Sequence, residues 1–167
     1  MPFPRSVRRQ TAKQTSKQIA ANTRSRTRGL GTRPQDLEAF SKTGPLEQRQ
    51  QIRDGMAAII VNRVAKDLLH VPIRPLLNAL GLPSSTILRK ISKADRLTGT
   101  ESDRVARVLY IFDRALDVFE DKRVAAEWML RPTLELSGVC PLEVLDTQPG
   151  YDRVRDLLTR LTFGVSP

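Results

Sequence analysis

The chain has 167 residues, the length of one ordinary domain or two small ones, and a formal net charge of +10. Its single cysteine, Cys140, excludes an intrachain disulfide, and any histidine-based metal site or Ser-His-Asp arrangement would rest on His70 alone. No apolar run approaches the roughly 18 residues of a membrane-spanning helix, and no short apolar core follows the basic start as in a secretory leader, so a cytoplasmic location is expected.

The charge is unevenly placed. Residues 1–33 hold nine basic residues and no acidic one, which leaves 19 basic and 18 acidic residues beyond them. Phe3, Val7, Ile19 and Leu30 are the only sizeable apolar residues of this stretch and follow no helical or alternating period. Too little surface can be buried there to offset the entropy of ordering the backbone, so residues 1–45 are expected to form a disordered basic arm. Order is expected to begin near Arg33-Pro34, with a second break at Thr43-Gly44-Pro45. Three roles stay open for the arm: phosphate contact, a solvated extension (or a start codon set too far upstream), and a transit peptide.

Helical signals dominate from Leu46 onward. Residues 56–69 set Ile60, Val64 and Leu68 four apart with Ala57 and Val61 beside them, an apolar stripe that Pro72 ends. A shorter helix fits Arg74 to Leu80, and Gly81 supplies a turn into a second one over residues 84–91, with Ser84 as its expected N-cap. Two short helices joined through a glycine make a helix-turn-helix pattern. In that arrangement Ser84, Ser85, Thr86, Arg89 and Lys90 are the candidates to meet DNA, the early residues at base edges and the later cations at phosphate or guanine. A purely structural αα-hairpin fits the same pattern.

Beyond a polar hinge at residues 93–99, a helix opening on Thr100-Glu101-Ser102-Asp103 carries Val105, Val108, Leu109, Phe112, Leu116 and Phe119 at threes and fours. Another spans about Arg123 to Leu130 and stops before Arg131-Pro132. Residues 134–149 read as turns with a short helical piece near Leu142–Leu145. A last helix over Gly150–Phe163 should point Val154, Leu157, Leu158 and Leu161 inward. No stretch alternates as a strand would, which makes the chain all-α. Asp113, Asp117, Glu120 and Asp121 fit a solvated helix face better than acid–base machinery. Cys140 reads as a packed small residue, His70 as a helix-end decoration, and Trp128 as core or an interface anchor. No catalytic constellation and no cofactor motif emerge.

The run from Leu80 to Lys90, then Glu101-Ser-Asp-Arg-Val105, Ala126-Glu-Trp-Met-Leu-Arg-Pro132, Leu136-Ser-Gly138, Pro141–Thr147 and Arg160-Leu-Thr-Phe-Gly-Val165 resembles Xre/ParS-type antitoxins over roughly residues 55–167. The resemblance implies an Xre-like helix-turn-helix domain (46–99) that binds the operon's own promoter, followed by a small helical toxin-binding bundle (100–167). It implies a toxin partner with a RES domain, which consumes NAD or transfers ADP-ribose, blocked at its active site by the antitoxin's C-terminal end. Carried over by motif, the toxin contacts are Arg160, Phe163, Gly164 and Val165, with Ser166 and Pro167 completing the tail and Trp128 a further anchor. The family's usual basic pair stands here as Arg89-Lys90, which keeps the charge but offers one bidentate fork fewer where two arginines would stand. Operator DNA, a homodimer and a hetero-oligomer with the toxin are the other implied partners. A stand-alone transcriptional regulator with a dimerising C-terminal bundle is the alternative.

Overall fold

A computed structural model describes residues 36–164, and among these the chain is all helical. Eight α-helices follow one another there: α1 (Asp36–Lys42), α2 (Pro45–Asp54), α3 (Ile59–Arg63), α4 (Ile73–Ala79), α5 (Ser84–Ser92), α6 (Gly99–Phe119), α7 (Lys122–Leu130) and α8 (Gln148–Thr162). Two short 3₁₀ turns, Leu134–Leu136 and Pro141–Val144, connect α7 to α8. Residues 1–35 of the expected arm lie outside the described residues. The remainder departs from that expectation: residues 36–42 are helical, with Phe40 buried against Tyr110 at a ring separation of 5.7 Å. Leu37 packs against the core beside it, and the Gln48 side-chain amide donates to the Phe40 carbonyl at 2.8 Å.

The 21-residue α6 is the axis of the fold, with α1, α2, α7 and α8 packed around it. Its buried face is Val105, Ala106, Val108, Leu109, Ile111, Phe112 and Ala115, the face the threes-and-fours spacing marks, widened by small residues. Its start is one turn-residue earlier than expected, because Thr98 and Glu101 form a capping box: the Thr98 hydroxyl accepts from the Glu101 N–H, and the Glu101 carboxylate accepts from the Thr98 N–H. Ser102, one turn in, is the one buried polar residue among those described, and its hydroxyl accepts from the Met56 N–H at 2.9 Å. The segment around Met56 is thereby tied to the start of α6. Backbone bonds Ala58 N–H to Asp95 O and Leu97 N–H to Met56 O close the same junction.

The stripe expected over residues 56–69 holds at Ile60, Val61 and Val64; Ala57 precedes the helix in a bridge to Arg96, and beyond Val64 the register slips by one. From Val64 to Leu68 the helix widens into a π turn, in which the Leu69 N–H bonds back five residues to the Val64 carbonyl at 3.0 Å. The extra residue rotates Leu69 onto the core, 1% exposed, and leaves Leu68 half-buried. His70 then turns the chain with φ +54°, and its Nδ1 lies 3.1 Å from the Lys66 carbonyl, a helix-end role as expected.

Three further expectations change. Ser84 is the first helical residue of α5 and does not cap it; Pro83, held extended by its ring at φ −68° and ψ 108°, occupies the cap position. The last helix begins at Gln148, because Thr147 caps it by accepting from the Gly150 N–H and Pro149 is tolerated in a first turn. Leu161 is not inward: it is 43% exposed, since residues 160–164 run past the elements that α8 packs on.

Candidate functional site

The α4–α5 pair forms the helix-turn-helix expected from the sequence. Leu80 to Pro83 joins the two helices, with Gly81 at φ +58° and the Leu82 N–H bonded to the Leu77 carbonyl at 2.8 Å. The left-handed backbone at Gly81 is cheap only for glycine. Leu76, Leu77, Leu80, Leu82 and Ile87 pack the hairpin onto the core. Ser85 and Arg89 are exposed on α5, and Ser84 and Thr86 are partly so.

Lys90 is placed differently from the other four. Its Nζ lies 2.6 Å from Glu101 Oε2, with both side chains about one-seventh exposed (15% and 14%). That carboxylate also accepts from the Thr98 N–H, so one oxygen caps α6 and holds α5 to it. Burial raises the Glu101 pKa, but the Lys90 hydrogen bond and the Thr98 backbone bond outweigh it and hold the carboxyl below its ordinary 4.5. Arg104, one turn further along α6, donates from Nη1 to the carbonyls of Leu80 and Gly81 at 2.9 and 2.7 Å. Sequence reading assigned Arg104 no part, and no local pattern marks a guanidinium aimed at a turn 23 residues away.

Charge is segregated among these elements. Residues 55–99 carry seven basic and two acidic side chains, whereas residues 100–164 carry nine basic and twelve acidic ones. The helix-turn-helix is therefore the cationic part of the described chain, and Lys93 and Arg96 are exposed beside Arg89.

The other candidate residues gather around α7 and α8. Trp128 is half-buried with its ring 5.7 Å from that of Phe119, so it serves the core chiefly. Arg160, Phe163 and Gly164 are exposed at the end of α8, Phe163 at 75%. Val165, Ser166 and Pro167 lie outside the described residues. Cys140 donates from Sγ to the Leu130 carbonyl at 3.1 Å, and burial with the nearby Glu143 charge pushes its thiol pKa up, which suits a packing role. Among the acidic residues of α6, Asp113 is half-buried where a solvated position was expected. It borders a hollow of about 370 Å³ between α1 and α6, and desolvation raises its pKa. Among the described residues, no group of three or more His, Cys, Asp or Glu side chains is arranged to hold a metal ion, and no helix is long and apolar enough to cross a membrane.

Residues 114–164 match the family model of the antitoxin Xre/MbcA/ParS C-terminal toxin-binding domain. The chain is 38% identical over 96 residues to an "Antitoxin Xre" of Yersinia enterocolitica, covering 57% of this chain and 65% of that protein. It is 36% identical over 91 residues to an "Antitoxin Xre" of Photorhabdus laumondii, covering 54% and 62%. A "Prs ADP-ribosylating antitoxin" of Sphingobium is 26% identical over 145 residues, covering 81% of this chain and 91% of that one. The chain thus spans just under two thirds of the length of the first two relatives. All three are named antitoxins. The chain is thus similar to proteins named antitoxins, and its residues 114–164 are similar to the toxin-binding domain of the Xre/MbcA/ParS family.

Proposed function

We propose that this protein is an antitoxin that neutralises a RES-domain toxin by inserting its C-terminal end into the toxin's active site. The observation that carries the reading is the coincidence of the matched toxin-binding domain with a helix, α8, whose final residues Arg160, Phe163 and Gly164 are exposed beyond the packed body. A short tail on a fixed helix enters a cleft at little ordering cost, because its base is already held. An NAD-consuming or ADP-ribose-transferring toxin agrees with the words ADP-ribosylating in the name of the Sphingobium relative.

The same chain represses its own operon in the cytoplasm through the α4–α5 hairpin. Arg89 is the α5 cation toward phosphate or guanine, and Ser84, Ser85 and Thr86 face base edges. A homodimer sets two such hairpins on symmetric half-sites, and the toxin joins it as a hetero-oligomer. Deleting residues 161–167, with helicity and melting temperature unchanged, releases the NAD-consuming activity of a RES-domain toxin that the intact chain inhibits. Full inhibition by the truncated protein would refute the tail as the blocking element. Promoter binding with no inhibition by the intact chain would favour a stand-alone regulator.

A further inference from the structure

Five of the six large apolar side chains that stand exposed among the described residues fall within or at the end of the matched toxin-binding span: Val124, Leu134, Val139, Leu161 and Phe163. Leu134 is the extreme case, 92% exposed. Exposed leucines scattered singly need no explanation, and one on a slack loop would need none either. Leu134 is not on a slack loop. It heads a 3₁₀ turn closed by a bridge between Thr133 and Val139, in which the Thr133 N–H bonds to Val139 O and the Gly138 N–H to Thr133 O at 2.8 Å.

Leu136 anchors the turn in the core at 8% exposure, and Ser137 and Gly138 both take left-handed backbone angles, φ +60° and +79°, to close it. From α8, Arg153 donates through Nη2 to the Glu135 carbonyl at 3.3 Å. The turn therefore holds Leu134 out into solvent at the cost of two left-handed residues, one of them not glycine. Behind it, Glu135, Leu136, Ser137, Val144, Gly150 and Arg153 line an open hollow of about 270 Å³.

We infer that the Thr133–Val139 turn is a second, preformed anchor for the toxin, with Leu134 entering an apolar socket on the toxin's surface away from its active site. This rests on the antitoxin reading above and adds a contact to it. The turn is continuous in sequence with the toxin-binding domain on both sides and tied to α8, the helix that carries the tail. Its rigidity matters energetically, because a side chain already held in its bound position loses little freedom on docking. Burying a leucine almost fully from solvent corresponds to about a tenfold to hundredfold gain in affinity.

The test uses the full chain and a purified RES-domain toxin, the partner of the proposed function, with Kd measured by calorimetry. Because Leu134 makes no core contact, Leu134→Ala and Leu134→Asp should fold as the parent does, which circular dichroism checks. The expected result is a Kd weakened at least tenfold by Leu134→Ala and further by Leu134→Asp, and by a similar factor when residues 161–167 are also deleted. Parent-like Kd values for both variants, with the parent binding tightly, overturn the anchor and leave the antitoxin reading intact. No binding by the parent overturns both.

Discussion

The Lys90–Glu101 pair shows how one residue's role is set by its neighbour. Lysine and arginine stand side by side on α5, yet the Lys90 ammonium is spent on a carboxylate while Arg89 is exposed. The two substitutions should separate accordingly. Arg89→Ala should leave stability unchanged, weaken promoter binding and reduce the slope of log K against log salt by about one. Lys90→Ala should cost about 2 kcal/mol in urea unfolding, the scale of a hydrogen bond to a charged group that is shielded from water. The pH dependence has a definite sign. Glu101 is more acidic folded than unfolded, so its contribution is present above its ordinary 4.5 and fades as pH falls through the lower folded value. Lys90→Ala should flatten the stability profile in that acid window. An unchanged profile would mean that the pair contributes nothing. None of this partnership was legible from the sequence, because Lys90 and Glu101 are eleven residues apart on different helices. The capping box was legible: Thr98 and Glu101 have the required spacing, but the polar run around them read as a hinge.

At the scale of elements, periodicity found the two longest helices, α6 and α8, gave no separate helix over Pro45–Asp54, and failed where geometry changed. The α6 stripe was recovered because 21 residues at a constant 3.6 period average out local exceptions. The residue 56–69 stripe failed by one position because a π turn adds a residue with no composition signal of its own. The Leu134 turn was read only as turns, since nothing in Leu-Glu-Leu-Ser-Gly distinguishes an outward leucine from an inward one. Close packing between the 3₁₀ turn Pro141–Val144 and α8 gives the prediction at this scale. A Cβ at Gly150 would stand 1.8 Å from the Val144 carbonyl oxygen, a backbone atom that cannot swing aside. Gly150→Ala should therefore destabilise the protein by about 1–3 kcal/mol in denaturant unfolding. It should also lower toxin binding by displacing the start of α8. A melting temperature equal to the parent's would show that the turn yields freely.

For the molecule as a whole, the sequence leads one to expect an arm, a helix-turn-helix module and a toxin-binding module, with the second boundary at residues 99 and 100. The chain has no linker there: Thr98 and Glu101 cap one another across the boundary, and the match to the toxin-binding domain begins only at residue 114, in the last third of α6. The helix-turn-helix leans on the first turns of α6 through Lys90, Arg104 and the Met56–Ser102 bond, and the toxin-binding elements lean on the rest. A fragment of residues 46–99 should consequently fail to fold, with flat urea curves and few amides protected from exchange, whereas residues 36–167 should unfold in one cooperative step.

That shared helix, roughly 30 Å long at 1.5 Å per residue, bears on how such a protein would be destroyed. A protease that opens α6 anywhere along its length removes the support of both modules at once. On the proposed function, promoter release and loss of the toxin-blocking end would then be a single event, with no surviving half that still represses or still inhibits.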